Sequence, residues 1–68
     1  MNNIELNLVH EGSWYFDTVM CKYYSSEWNT YYFHFVDGFN EKMKGPFDTK
    51  NEAYKAAYKY FHEEWVPF

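Results

Sequence analysis

The 68-residue chain has no arginine, one cysteine, three glycines and two prolines. Without arginine there is no planar fork to grip guanine edges or phosphate in two places, which weighs against sequence-specific reading of nucleic acid. The lone thiol, Cys21, forbids an internal disulfide. With no lysine-led apolar leader, it suits a reducing, cytoplasmic setting. No apolar run approaches the ~20 residues that span a bilayer, so no membrane association is expected. Linkers, repeats and low-complexity stretches are missing too, and the expectation is one small domain over residues 1–68.

What the chain has in excess is rings. Seven Phe, eight Tyr and three Trp contribute to an aromatic fraction of 26%. Each ring residue can bury roughly 150–250 Å², and a domain this short sits near the lower size limit for a self-sufficient core. The rings exceed what one small core can hide. Some aromatic surface is left for solvent, a second copy or a target.

Charge is unevenly placed. Residues 1–41 carry six acids (Glu5, Glu11, Asp17, Glu27, Asp37, Glu41) against Lys22, a net of −5. Residues 42–68 carry five lysines against four acids, a net of +1, which together give the formal −4. The usage of Asn, Lys and Tyr is that of an AT-rich genome, which suits phages and mobile elements.

One stretch has a clear start, period and stop. Thr49 and Glu52 have capping-box spacing, Asp48 adds negative charge at the positive end of the helix dipole, and Pro46 keeps helix from starting earlier. Ala53, Ala56, Ala57, Tyr60 and Phe61 then recur at three- and four-residue steps, a stripe that faces a core. Tyr54, Tyr58 and Trp65 widen it, and Glu64 falls on the same side. Lys55, Lys59, His62 and Glu63 form the wet face, and Pro67 limits continuation. The spacing predicts a helix of roughly 15 residues lying on a sheet.

Upstream, Ile4, Leu6 and Leu8 alternate with polar residues as a half-buried strand. His10–Ser13 reads as a turn with Gly12 at positive φ. Trp14–Tyr24 reads as one long strand, with Trp14, Phe16, Thr18, Met20 and Tyr24 facing the helix and Tyr15, Asp17, Val19, Cys21 and Tyr23 facing away. A turn follows over Ser25–Asn29, then a third strand over Thr30–Val36. Asp37-Gly38 is a hairpin signal, leading to a fourth strand over Phe39–Lys44. A two-residue turn there would pair Phe35 with Asn40 and Phe33 with Lys42; a three-residue loop with a bulge pairs Phe35 with Glu41 and Phe33 with Met43, and is preferred because it groups Phe33 with Met43. The fold class is α+β: an antiparallel meander of three or four strands with one C-terminal helix on one face.

Chemistry-bearing constellations are sparse. His10, His34, His62 and Cys21 lack the close pairing of zinc ligands, so no metal is expected. Cys21 and His34 are the one possible nucleophile pair, placed as neighbours across a hairpin, but no glycine-rich oxyanion loop follows the cysteine. The carboxylates sit at turns and outward positions, with no cleft implied for acid–base work. Gly45-Pro46 and Lys50 do not make a phosphate loop. No cofactor and no catalytic residue is indicated, and the expectation is a protein that is not an enzyme.

Gly45, Phe47, Thr49, Glu52 and Ala53, with Trp14 as an opening-strand aromatic, resemble the arm-type DNA-binding domains of phage integrases over about a quarter of the chain. That resemblance implies a three-stranded sheet, a C-terminal helix and a sheet that enters the major groove with basic residues. Here the strand region is net negative, a departure from that pattern.

The aromatic surplus and acidic turns therefore point first to an interaction or inhibitor protein of the kind phages and mobile elements encode. It would block a larger host protein of defence or nucleic-acid handling. The partner-binding candidates are Tyr15, Asp17, Tyr23, Glu27, Trp28, Tyr32 and His34. Self-association into a homodimer, through the face of Tyr15, Tyr23 and His34 or through an edge strand, is a further expectation. A nucleic-acid module using Lys42, Lys44, Lys50, Lys55 and Lys59 is the alternative.

Overall fold

The computed structural model describes residues 7–38 and 42–67. Its elements run β1 (Leu8–Phe16), β2 (Val19–Ser26), β3 (Tyr31–Phe35), β4 (Lys44–Phe47) and α1 (Lys50–Glu63). The strands form one antiparallel sheet in the order β1-β2-β3-β4, and the helix packs on one face, chiefly over β3 and β4. This is the α+β meander-plus-helix expected, with four strands.

The strand boundaries differ from the sequence reading in three places. Trp14–Tyr24 is two strands, because a two-residue turn at Asp17-Thr18 joins Phe16 to its partner Val19. Asp17 takes φ 58, a left-handed conformation that short polar residues tolerate without glycine. Second, His10–Ser13 is strand and not turn. The ladder runs through it with an irregularity between His10 and Gly12, and Gly12 is not at positive φ. Gly12 serves another purpose: a Cβ there would lie 2.7 Å from the Tyr23 hydroxyl, so the missing side chain lets that ring cross β1. The first strand predicted over Ile4–Leu8 falls mostly outside the described residues.

Third, the described β4 is Lys44–Phe47: of the expected Phe39–Lys44, residues 39–41 lie outside the described residues and Lys42 and Met43 are not strand. Phe33 pairs with Lys44 rather than Met43, and Tyr31 pairs with Phe47. The pairing of Phe35 with Glu41 lies outside the described residues. The register slips between Tyr31 and Phe33. Gly45, at φ 145, sits in β4 opposite that slip, where a Cβ would come within 2.6 Å of the Tyr32 ring and 2.8 Å of the Tyr31 carbonyl. The Gly45–Pro46 peptide is cis.

The helix follows the sequence closely. Thr49 is the N-cap, its hydroxyl accepting from the Glu52 N–H at 3.1 Å, and Glu64 is the C-cap. Ala53 and Ala57 are fully buried against the sheet, while Ala56, Tyr60 and Phe61 are half-buried. Beneath them Phe16, Cys21, Phe33 and Phe35 make the core, flanked by Trp14, Val19, Phe47 and Trp65. Tyr54 edges onto Trp14 at 5.2 Å, and Phe61 stacks on Phe16 at 5.6 Å. The chain end is held by Trp65, whose indole Nε1 donates to the Asp37 carbonyl at 2.7 Å.

Candidate interaction surface

Because side chains alternate across a strand, the β1–β2 register decides which residues the helix covers. Trp14 pairs with Cys21 and Phe16 with Val19, so all four lie beneath the helix. Tyr23 shares that side, stacked on Trp14 at 4.2 Å, with the Lys50 ammonium 5.3 Å from its ring centre. The face assignment made from a single long strand is therefore corrected for Met20 and Tyr24, which face away, and for Val19, Cys21 and Tyr23, which face the helix. The two-residue turn between Phe16 and Val19 resets the alternation.

The opposite face is built from four cross-strand rows. Ser13, Lys22 and His34 form one, His10, Tyr24 and Tyr32 a second, Tyr15 and Met20 a third, and Leu8 and Ser26 a fourth. The His10 and Tyr24 rings lie 5.3 Å apart, which confirms that they share a side. Among the described residues no element packs over these rows. Tyr15 is 62% exposed, whereas Met20, Lys22, Tyr24, Tyr32 and His34 are half-buried by one another.

No carboxylate of the described strands falls on this open face. Glu11, at the β1 irregularity, accepts from Ser25 Oγ at 2.9 Å. Ser25 follows Tyr24, so it points to the other side. Asp17 and Asp37 lie at one end of the sheet, in the turn after β1 and the segment after β3, while Glu27 lies at the other end, between β2 and β3. The open face thus has Lys22 and His34 at its centre and acids at its ends, in a protein of net charge −4.

The β2–β3 turn is held by one hydroxyl. Ser26 Oγ accepts from the backbone N–H groups of Trp28 and Thr30, both at 3.2 Å, and pairs with Thr30 Oγ1 at 2.6 Å. Ser26 N–H donates to Thr30 O, and Asn29 closes the turn at φ 60. This fixed turn presents Trp28, 64% exposed, beside Glu27.

Of the seven sequence candidates, the structure gathers Tyr15, Tyr32 and His34 on the open face. Glu27 and Trp28 lie at one end and Asp17 at the other. Tyr23 is on the helix side, so the expected face of Tyr15, Tyr23 and His34 does not exist as a unit. Lys22, Tyr24, Met20 and His10 belong to the open face but were not among those candidates. Two signals were missed: a turn at Asp17-Thr18 puts Met20, Lys22 and Tyr24 in step with Tyr15 and His34, and the β1 irregularity between His10 and Gly12 brings His10 to the same side.

Cys21 and His34 do not form a nucleophile pair. Cys21 is opposite Phe35, and His34, one residue on, points to the other face. Cys21 is fully buried, and burial pushes its thiol up to about 12, so the thiolate is scarce at neutral pH. Among the described residues no three His, Cys, Asp or Glu side chains converge as metal ligands. No described helix is long and apolar enough to cross a membrane.

Fold and surface together define a meander-plus-helix protein with one sheet face under the helix and one aromatic face that no described element covers. Comparison with protein-family models, curated proteins and solved structures finds no match for the chain.

Proposed function

We propose that this chain is a non-enzymatic interaction protein that acts by occupying the binding surface of a larger protein with its open sheet face. The observation that supports this is the uncovered aromatic face with its cationic centre and acidic ends. Tyr15, Tyr24 and Tyr32 supply broad, stiff contact area with polar tips, the composition of interface hot spots. Lys22 calls for an acidic centre on the partner, with the His34 ring beside it as a polar contact, while Asp17, Asp37 and Glu27 call for a basic rim.

That pattern is the complement of a metal-dependent nucleic-acid enzyme, which gathers carboxylates around its ions and surrounds them with lysine and arginine for the phosphates. Blocking such a host protein fits a phage or mobile-element inhibitor. A nucleic acid itself fits less well, because its phosphates would run past Lys22 and His34 into the acids at both ends. A second copy packed face to face would bring Lys22 against its own kind, so the charge pattern favours a different protein over a homodimer.

The test uses the intact protein as bait in extract from its native host. A protein retained by the parent should be lost by a Tyr15→Ser, Lys22→Glu double variant with an unchanged melt, and kept by Lys55→Glu on the wet face of the helix. Retention by the double variant overturns the assignment of the face. Binding of a single-stranded or duplex oligonucleotide at low salt that vanishes at moderate salt would establish the nucleic-acid alternative instead. Sedimentation from low to high micromolar concentration reads self-association directly.

A further inference from the structure

On the helix side, along edge strand β4, a groove of about 260 Å³ is lined by Phe33, Lys44, Phe47, Ala56, Lys59, Tyr60 and Glu64. It belongs to the opposite layer from the open face. Its floor is aromatic: the Phe33 and Phe47 rings lie nearly parallel at 5.8 Å, and Tyr60 closes one side. The gap exists because Ala56 is small where the helix passes Phe47, and because the slipped β3–β4 register carries Lys44 and Phe47 to separate positions along the edge. Ligand pockets for drug-sized molecules run ~300–1,000 Å³, so this groove takes one large side chain.

Its charge is specific. The Lys44 ammonium sits 5.3 Å from the centre of the Tyr60 ring, and Lys59 projects from the helix at the same rim. Among the described residues neither ammonium is paired with a carboxylate. Glu64, the helix C-cap, is the sole acid of the lining. Two cations against one acid leave the Lys44–Lys59 rim open to an anion, and the Glu64 end repels one. The groove opens beside β4, the outer strand of the sheet, so an extended chain can run past it.

The geometry points to a binding site for an acidic peptide segment of a partner protein: an aromatic side chain enters the floor of Phe33, Phe47 and Tyr60, and a neighbouring carboxylate meets Lys44 and Lys59. Occupancy here does not depend on the open face.

Amide-shift titration of the intact protein tests it with three probes: a blocked peptide with phenylalanine between two aspartates, its counterpart with two lysines, and phenylacetate. The acidic peptide should shift Phe33, Phe47, Ala56, Lys59 and Tyr60. It should bind at least tenfold more weakly to a Lys44→Gln, Lys59→Gln double variant of unchanged melting temperature, and equally well to Lys22→Glu. No shift at millimolar acidic peptide overturns the proposal, as does equal binding of the lysine peptide. Equal binding of phenylacetate would assign the groove to small aromatic acids and overturn the peptide reading. Loss of binding in Lys22→Glu would also overturn it, by tying the peptide to the open face.

Discussion

The two faces of this one sheet alternate along the same strands and differ in the ring residue that dominates each. Under the helix, the ring positions of the core are Phe16, Phe33, Phe35 and Phe47; on the open face they are Tyr15, Tyr24 and Tyr32. A buried phenol needs a partner for its hydroxyl, whereas an open one takes water. Phenylalanine under the helix avoids that cost. Tyr23 and Tyr31 are the exceptions on the covered side, and both are only half-buried, at its margins. The difference teaches that the hydroxyl marks the side of the sheet, so that a strand such as Tyr-Phe-His-Phe can be oriented from its own residues.

The sharpest way to break the comparison is to put charge under the helix. Ala57→Asp places a carboxylate at a fully buried site, and an unpaired buried charge costs several kcal/mol, much of the ~5–15 kcal/mol that holds a domain together. The expected outcome is loss of the cooperative thermal transition. A melt near the parent temperature would mean the helix lies on the sheet in another rotation. Next come two neighbours in β3. Phe35→Ala should cost about 3–5 kcal/mol in denaturant unfolding, since its ring is fully buried. His34→Ala, one residue away on the open face, should stay within about 0.5 kcal/mol. Similar losses for both would show that the open face is covered in solution.

Two smaller effects test the edges of the covered layer. Gly45→Ala should destabilise by more than about 1 kcal/mol, because φ 145 disfavours a side chain and the Tyr31 carbonyl stands in its way. Unchanged unfolding there would place the β3–β4 slip elsewhere. Thr49→Ala removes the hydroxyl that accepts from Glu52 N–H and should cost about 1 kcal/mol, read as a shift in the urea midpoint.

The helix was legible because several local signals agree on it: the Thr49 cap, the alanine stripe and Pro67. The strands were legible as extended chain but not as separate units. Asp17 turns the chain without glycine or proline, so Trp14–Tyr24 looks unbroken, and that one hidden turn inverted the faces of five residues. At the other end, Asp37-Gly38 advertises a hairpin, and among the described residues the strand after it is Lys44–Phe47, while Trp65 and the Val66 carbonyl crowd Gly38. That contact comes from far along the chain, where a local reading cannot weigh it. The open face was therefore visible as composition but not as a set of residues.

The three tryptophans occupy three different surroundings, and this makes the protein its own set of optical reporters. Trp14 is stacked on Tyr23 within the first hairpin, Trp28 stands in water on the β2–β3 turn, and Trp65 is hydrogen-bonded to the segment after β3. Variants that keep one tryptophan each would separate the emission of hairpin, turn and chain end. Trp28 alone should change colour when a partner covers the sheet from the turn end, while Trp65 should lose its signature first if the chain end lifts from Asp37.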